Sequence, residues 1–169
     1  MNELMFLYIP ALVNNQKYIY ELFENHEKDM VEFDSKEGKN NSFVVARFRD
    51  TFLESIINDI VGDVEYNLRI YKHYKNKNHS MHKDVGGIQC SLNYLIGGYD
   101  SPVIFYDDNK NETGRYHYQC GLLNILKYHS IPPSKQDRVF LRFAFKKPFD
   151  EIKELFKDYE AIPYKPASN

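Results

Sequence analysis

Residues 138–145 read Arg138-Val139-Phe140-Leu141-Arg142-Phe143-Ala144-Phe145. Successive side chains of a β-strand point to opposite faces of the sheet. With that period, one face carries Val139, Leu141, Phe143 and Phe145. The other face carries Arg138, Phe140, Arg142 and Ala144. The run therefore predicts a strand with one wholly apolar face. The two arginines indicate that the opposite face contacts polar or charged groups.

Six further runs have strand character and are bounded by glycine, proline or acidic turn residues. They are the apolar run within Met1–Pro10, then Val64–Tyr71, Gln89–Leu95, Val103–Tyr106, Arg115–Tyr118 and Leu122–Ile125. From residue 64 onward the strands follow one another without helices between them. Such a succession predicts an antiparallel sandwich or barrel rather than βαβ units.

We expect a single domain, residues 1–169, that consists of three parts. About residues 1–63 form an N-terminal helical support, and about residues 64–147 form the β-barrel. A C-terminal helix over about residues 150–160 begins at Asp150, whose side chain is expected to cap it.

The N-terminal support is predicted to contain two helices. Apolar side chains recur at helical spacing from Asn15 to Met30. A second helix begins at Thr51 and ends at Gly62, a residue type common just past the end of a helix. The polar stretch Asp34–Ser42 lies between them and is expected to be a loop.

Composition restricts the class of protein. Lys+Arg is 22 and Asp+Glu is 24, so the formal net charge is -2. That balance argues against a protein that coats nucleic acid, because such proteins carry a basic excess. Two cysteines are too few for a disulfide scaffold, which predicts a reducing compartment and a cytoplasmic location. No apolar run reaches the roughly 18 residues of a membrane-spanning helix, so no membrane partner is expected.

The chemistry-bearing residues lie in the strand-rich part. His82 and Asp84 are two residues apart, so on an extended segment both side chains share a face and can reach one ion. His129 is available as a third ligand. Two histidines and one carboxylate on one side of a metal suit non-haem Fe(II). Arg138 follows nine residues after His129, where a guanidinium could hold a carboxylate beside the metal.

These residues resemble the Fe(II)- and 2-oxoglutarate-dependent oxygenases, which use an HxD…H triad and a basic residue about ten positions after the last histidine. The resemblance extends from Leu68 to Phe145, about half of the chain. It is carried by Leu68-Arg69-Ile70-Tyr71, His79-Ser80-Met81-His82-Lys83-Asp84, Ser91-Leu92-Asn93-Tyr94-Leu95, Leu122-Leu123-Asn124-Ile125, His129-Ser130-Ile131-Pro132-Pro133 and Arg138-Val139-Phe140-Leu141-Arg142-Phe143.

The resemblance implies a mainly β fold with flanking helices and a double-stranded β-helix core, a cupin-like jelly-roll. It also implies that His82, Asp84 and His129 bind Fe(II). Arg138 would then pair with the distal carboxylate of the cosubstrate 2-oxoglutarate. Tyr71 is a further candidate for that carboxylate, and Tyr74 competes with it for this role.

The implied activity is a hydroxylation that consumes O2 and 2-oxoglutarate and releases succinate and CO2. Its substrate is a small molecule or an amino-acid side chain of a peptide, in the manner of prolyl or aspartyl/asparaginyl hydroxylases. Asp84 favours hydroxylation, because halogenating relatives carry Gly or Ala at that position. Two alternatives stay open: an AlkB-type nucleic-acid demethylase, whose second arginine Arg142 matches only in part, and a non-catalytic jelly-roll binding module. The near-neutral charge argues against nucleic acid.

Several residues near the motif have two readings each. Arg142 lies on the same strand face as Arg138, and Arg69 lies on the same strand face as Tyr71. Each arginine is expected either to bind a substrate carboxylate or phosphate or to form an ion pair at the barrel mouth. Asn93 and Asn124 lie inside predicted strands and face either the cosubstrate pocket or a neighbouring strand. Two other histidines, His73 and His79, stand outside the completed motif, and we expect them at the surface or, for His79, in a substrate lid.

Overall fold

The computed structural model describes residues 3–35 and 38–163, with the side chains of 33–41 excepted. Its strands are β1 (Leu4–Phe6), β2 (Val31–Ser35), β3 (Gly38–Arg47), β4 (Tyr66–His73), β5 (His79–His82), β6 (Cys90–Gly97), β7 (Val103–Tyr106), β8 (Glu112–Tyr116), β9 (Cys120–Leu123), β10 (Tyr128–Ile131) and β11 (Arg138–Phe145). Its helices are α1 (Pro10–Val13), α2 (Gln16–His26), α3 (Thr51–Val61) and α4 (Phe149–Leu155), with 3₁₀ turns at Glu27–Asp29 and Lys157–Tyr159.

The strands form two antiparallel sheets. The larger has the order β1-β9-β6-β11-β4-β3-β2, and the smaller has the order β5-β10-β7-β8. From β4 onward the chain crosses repeatedly between the two sheets, so that β4, β6, β9 and β11 lie in one and β5, β7, β8 and β10 in the other. This is the double-stranded β-helix that was predicted, with helices flanking the larger sheet.

Strand β11 is the central strand of the larger sheet, paired with β4 on one side and with β6 on the other. Its two faces are those the period-two pattern predicts. Val139, Leu141, Phe143 and Phe145 pack in the core cluster beneath the helices, together with residues of α2, α3 and α4. Phe140 packs between the two sheets. The arginines of β11 therefore point into the space between the sheets.

The loop predicted over Asp34–Ser42 is wrong, because most of that stretch is strand. β2 and β3 pair as an antiparallel hairpin, and β3 also pairs with β4 from Phe43 to Arg47. Lys, Asn and Gly have low β-propensity, so the local signal suggests a loop. Pairing with an existing sheet edge overrides it, so the N-terminal part contains strands β2 and β3 in addition to the predicted first strand and helices.

The predicted helices are present with one correction, and the short helix α1 is an addition that the sequence did not predict. α2 and the 3₁₀ turn after it cover the predicted helix from Asn15 to Met30, and Gly62 ends α3 with a φ of 63°. α4 begins after Pro148, not at a cap formed by Asp150, which lies in the first turn. Proline already has a φ compatible with a helix start, and an acidic group in the first turn interacts favourably with the helix dipole.

The first strand of the chain lies at one edge of the larger sheet. β1 pairs with β9. The last residue of β1 and the residues that follow it bond to the C-terminal end of the described chain: the Tyr8 N–H donates to the Tyr159 carbonyl and the Ala161 N–H donates to the Phe6 carbonyl, both at 2.9 Å.

Cys90 and Cys120 are free and buried, as small apolar side chains. None of the helices in the described ranges has the length and apolarity to cross a membrane.

Gly98 holds the turn after β6 close to β11. Its φ is 74°, and a Cβ there would lie 2.5 Å from the Arg138 Cα. We expect Gly98→Ala to lower the free energy of unfolding by at least about 2 kcal/mol more than Gly86→Ala. Gly86 is the matched control, because its φ is 85° but open space surrounds it. Urea denaturation measures both; equal losses would contradict the close approach.

Candidate active site

A cavity of about 310 Å³ lies between the two sheets. Side chains of both sheets line it, and the three predicted metal ligands are among them: His82, Asp84 and His129. His82 ends β5 and lies directly opposite His129 of β10 in the antiparallel register. Asp84 follows two residues after β5, where its N–H donates to the Ile125 carbonyl at 3.1 Å.

The three side chains present one donor atom each to a common point. Asp84 Oδ1 lies 3.1 Å from His82 Nε2 and 3.7 Å from His129 Nε2, and all three donors are within 4.8 Å of one another. Ligands that bind a metal at about 2.1 Å and at right angles lie about 3 Å apart. The donor set therefore fits one ion on one side, with the opposite side facing the cavity.

Backbone carbonyls set the orientation of both imidazoles. His82 Nδ1 lies 2.8 Å from the Ser80 carbonyl, and His129 Nδ1 lies 2.9 Å from the Lys127 carbonyl. A carbonyl oxygen only accepts, so Nδ1 carries the proton in each ring and the Nε2 lone pair is free for a metal. Such outer contacts commonly fix the tautomer of metal-binding histidines.

Arg142 holds the far oxygen of Asp84. Its Nη2 donates to Asp84 Oδ2, while Oδ1 faces the imidazoles. Burial raises the pKa of Asp84, but the Arg142 guanidinium, with His82 and His129, outweighs burial and lowers that pKa well below its usual range. The carboxylate is consequently ionised and oriented as a metal ligand throughout the physiological pH range.

Burial keeps the neighbouring histidines neutral. It lowers the pKa of His129 to about 4, with His82 adding to the effect. It lowers the pKa of His79 to about 3, again with His82 and then His129 adding to the effect. His73 is buried, and its pKa is well below the usual value for the same reason. Neutral rings are the form that binds metal.

The surface or lid position expected for His79 and the surface position expected for His73 are wrong. Both residues line the cavity, and His79 Nε2 lies 3.2 Å from His82 Nε2. On a regular strand, residues 79 and 82 point to opposite faces. The register between β5 and β10 shifts by one residue between His82 and His79, which is a β-bulge, and the bulge turns His79 into the cavity.

Arg138 is 1% exposed and is not among the cavity-lining residues. Its Nη1 donates to the Ser101 carbonyl at 2.6 Å, and its Nη2 donates to the Tyr118 hydroxyl at 3.0 Å. Tyr118 itself lines the cavity. Sequence reasoning missed Tyr118, because it lies in the connection between β8 and β9 and no local motif marks it.

Tyr71, Arg69, Arg142 and Asn93, four further candidates, line the cavity. Tyr71 stacks on Phe140 with ring centroids 5.1 Å apart, and its hydroxyl accepts a long hydrogen bond of 3.4 Å from Arg69. Asn93 donates to the Tyr118 hydroxyl at 3.3 Å. The predicted polar face of the larger sheet therefore forms one wall of the cavity.

The remaining two candidates lie elsewhere. Tyr74 is 38% exposed beyond the end of β4, where its ring contacts the Lys72 ammonium. Asn124 follows β9 in a turn, with its N–H bonded to the Glu3 carbonyl at 2.8 Å, and does not line the cavity. β9 ends one residue before Asn124, so the strand periodicity that placed it in the pocket does not extend to it.

No family model matches the sequence, and no curated protein matches it. Solved structures do match its fold. A Pseudomonas putida prolyl-4-hydroxylase superposes with a TM-score of 0.62 at 9% identity, over 85% of this chain and 91% of that one. The fold is that of the 2-oxoglutarate–Fe(II) oxygenases. A Trichoplax adhaerens prolyl hydroxylase, in complex with a peptide fragment of hypoxia inducible factor, matches with a TM-score of 0.59 at 10% identity, over 92% and 87% of the two chains.

A third structure, an oxidoreductase of the 2OG-Fe(II) oxygenase family from Burkholderia pseudomallei, matches with a TM-score of 0.53 at 14% identity, over 79% of both chains. At such identities the likeness establishes the fold. The predicted double-stranded β-helix and its flanking helices are therefore confirmed, and the chemistry of the site depends on this chain's own residues.

The triad geometry predicts a metal affinity that depends on Asp84. We expect Asp84→Ala to weaken anaerobic Fe(II) or Co(II) binding at least about 100-fold, because one of three protein ligands is lost. Asp108→Ala is the matched control: Asp108 is an exposed acid that pairs with Lys83. Calorimetric titration measures both variants. Equal affinities in wild type and Asp84→Ala would contradict the site.

The buried neutral histidines predict a loss of stability in acid. The folded state holds the pKa of His73 below that of the unfolded chain, so the unfolded chain binds the proton first as pH falls. The metal-free protein should lose stability continuously below about pH 6.5, by up to about 1.4 kcal/mol per pH unit for each such histidine. Denaturant titrations from pH 7 to 4.5 should show a shallower slope for His73→Leu. An unchanged slope would contradict the assignment.

Proposed function

We propose that this chain is an Fe(II)- and 2-oxoglutarate-dependent dioxygenase that hydroxylates a small molecule or a peptidyl amino-acid side chain, with release of succinate and CO2. The observation that carries the proposal is the donor set of His82, Asp84 and His129. Both imidazoles offer Nε2, and Asp84 offers Oδ1, to one point inside the cavity of a double-stranded β-helix. Two histidines and a carboxylate on one side are the ligand set of non-haem Fe(II) oxygenases.

The cosubstrate end of the cavity is proposed to lie at Arg138. The Tyr118 hydroxyl accepts hydrogen bonds from Arg138 Nη2 and from Asn93 Nδ2, so its own proton is available to an acceptor in the cavity. Tyr118 thus extends the positive field of Arg138 to the cavity wall. Together with Tyr71, it would bind the distal carboxylate of 2-oxoglutarate, and the Arg138 Nε–H, which has no protein partner, remains as a further donor.

The chain's residues contribute positioning and the exclusion of water. Iron, when bound, supplies the redox chemistry that couples decarboxylation of 2-oxoglutarate to oxidation of a C–H bond. Arg142 keeps the Asp84 carboxylate turned toward the imidazoles, and the Ser80 and Lys127 carbonyls keep the rings in one tautomer. Phe140, Val103 and Leu123 supply apolar walls, which hold the reacting groups in a largely dry space.

Anaerobic addition of Fe(II) and 2-oxoglutarate tests the proposal. The wild type should develop the visible charge-transfer absorption of an iron–keto acid chelate and, on admission of air, should form succinate. His82→Ala should show neither. Arg138→Met should require at least tenfold more 2-oxoglutarate, whereas Arg115→Met should match the wild type, because Arg115 is an exposed arginine paired with Glu112.

Two results would decide against this function. If the wild type binds metal but shows neither the absorption band nor succinate, the chain is a jelly-roll binding module. If succinate forms only in the presence of methylated oligonucleotides, the chain is a nucleic-acid demethylase. Otherwise, a substrate screen by mass for the gain of one oxygen identifies what is hydroxylated.

A further inference from the structure

Three arginines form a row across neighbouring strands of the larger sheet. Arg47 of β3 lies opposite Arg69 of β4, and Arg69 lies opposite Arg142 of β11. The row continues to Asn93 of β6. Like charges directly opposite one another destabilise a sheet. Stability of the fold therefore does not explain this row of arginines. Arg69 and Arg142 both line the cavity, which indicates a role in binding.

Polar atoms in this part of the cavity wall lack protein partners. The Nε atoms of Arg69 and Arg142 are buried and make no hydrogen bond, and the same holds for Asn93 Oδ1 and Ser91 Oγ. All four belong to cavity-lining residues on three adjacent strands. A buried polar group without a partner costs about 1–3 kcal/mol. Four of them in one patch indicate a surface shaped for a polar ligand.

The net charge of the cavity lining also favours the binding of an anion. Asp84 is the single carboxylate among the described cavity-lining residues, and the lining Lys83 is paired with Asp108. The lining guanidinium groups of Arg69 and Arg142 and a divalent ion exceed that carboxylate by three positive charges, and the buried Arg138 behind Tyr118 adds a fourth. Doubly charged 2-oxoglutarate neutralises two of them. Arg142 shares the single carboxylate with the metal site and Arg69 has no acidic partner, so part of the surplus remains where the two unpartnered Nε atoms lie.

The two arginines of β11 mark two positions along the strand. Arg138 and Arg142 are four residues apart on β11, so their Cα atoms are about 13 Å apart along the strand. The terminal carbons of a five-carbon diacid are about 5 Å apart. Asp84 contacts Arg142, so the metal triad lies beside the second position. A diacid whose distal carboxylate is bound at Arg138 directs its other carboxylate toward the metal triad, so a second anion is recognised by binding to protein that is already saturated with 2-oxoglutarate.

We propose that the substrate is a small-molecule acid whose carboxylate or phosphate group binds to Arg69 and Arg142. This inference rests on the proposed function, since it assigns the substrate class of the same site. The cavity of about 310 Å³ is at the lower limit for ligand pockets and must also hold the cosubstrate. It therefore suits a small acid. Ser91 and Asn93 would contact neutral polar groups next to the anion.

The test observes the two unpartnered Nε–H groups directly. ¹H–¹⁵N spectra are recorded on protein loaded with Zn(II), which does not react with oxygen, and saturated with 2-oxoglutarate. Acetate and inorganic phosphate are then titrated separately. The Nε–H signals of Arg69 and Arg142, identified by their loss in Arg69→Met and Arg142→Met, should shift saturably with at least one of the anions.

Variants separate a built site from general attraction. Arg69→Met should weaken the anion at least tenfold and should weaken 2-oxoglutarate by a clearly smaller factor, because Arg69 reaches the proposed cosubstrate residue Tyr71 only through one long hydrogen bond. It should also fold, because Arg69 makes only one long hydrogen bond. Arg69→Lys, which keeps the charge, should retain part of the binding. Arg115→Met is the control and should match the wild type.

Each outcome decides the inference. A response to acetate alone assigns a carboxylic acid, and a response to phosphate alone assigns a phosphate monoester. No shift with either anion, or wild-type affinity in Arg69→Met, overturns the inference while the proposed function stands. If Zn(II) and 2-oxoglutarate do not bind at all, the proposed function fails. The same titration of the metal-free protein then decides the anion site by the same two criteria.

Discussion

The pleat of β11 is the constraint on which the rest of the structure depends. Every side chain of that strand points either to the core beneath the helices or to the space between the sheets, and a slip of one residue would exchange the two sets. Phenylalanine and leucine would then face His82, Asp84 and His129, and guanidinium groups would face the helices. The large apolar surface of Phe143 and Phe145 therefore holds Arg138 and Arg142 in place at the opposite face.

The site itself is a compromise between burial and charge. Asp84 and Arg142 are both mostly buried, and removal of ions from water is costly unless they are paired. Their pairing offsets part of that cost and also directs one carboxylate oxygen toward His82 and His129. Burial meanwhile lowers the pKa of His129 and keeps that imidazole neutral. The same low-dielectric surroundings thus favour a charged carboxylate beside an uncharged nitrogen donor, as a divalent metal requires.

The sequence predicted what strict periodicity and short spacing determine. The two faces of β11 follow from alternation, and the shared side of His82 and Asp84 follows from their separation by two. His79 could not be placed in this way, because a bulge in β5 changes the facing of a single residue. The stretch Asp34–Ser42 has few of the residues that favour strands, and its strand structure depends on the pairing of β2 with β3 and of β3 with β4. Tyr118 reaches Arg138 only through the tertiary fold, 20 residues apart in the chain.

The central position of β11 has a consequence for biosynthesis. Its partners β4 and β6 are translated well before it, and they are not bonded to each other in the larger sheet. Until residue 145 has left the ribosome, β3 and β4 on one side and β6 and β9 on the other are separate pieces with exposed edges. Such edges readily pair with other chains. The two halves of the larger sheet can therefore join only after β11 has been synthesised, and this strand covers one open edge of each half.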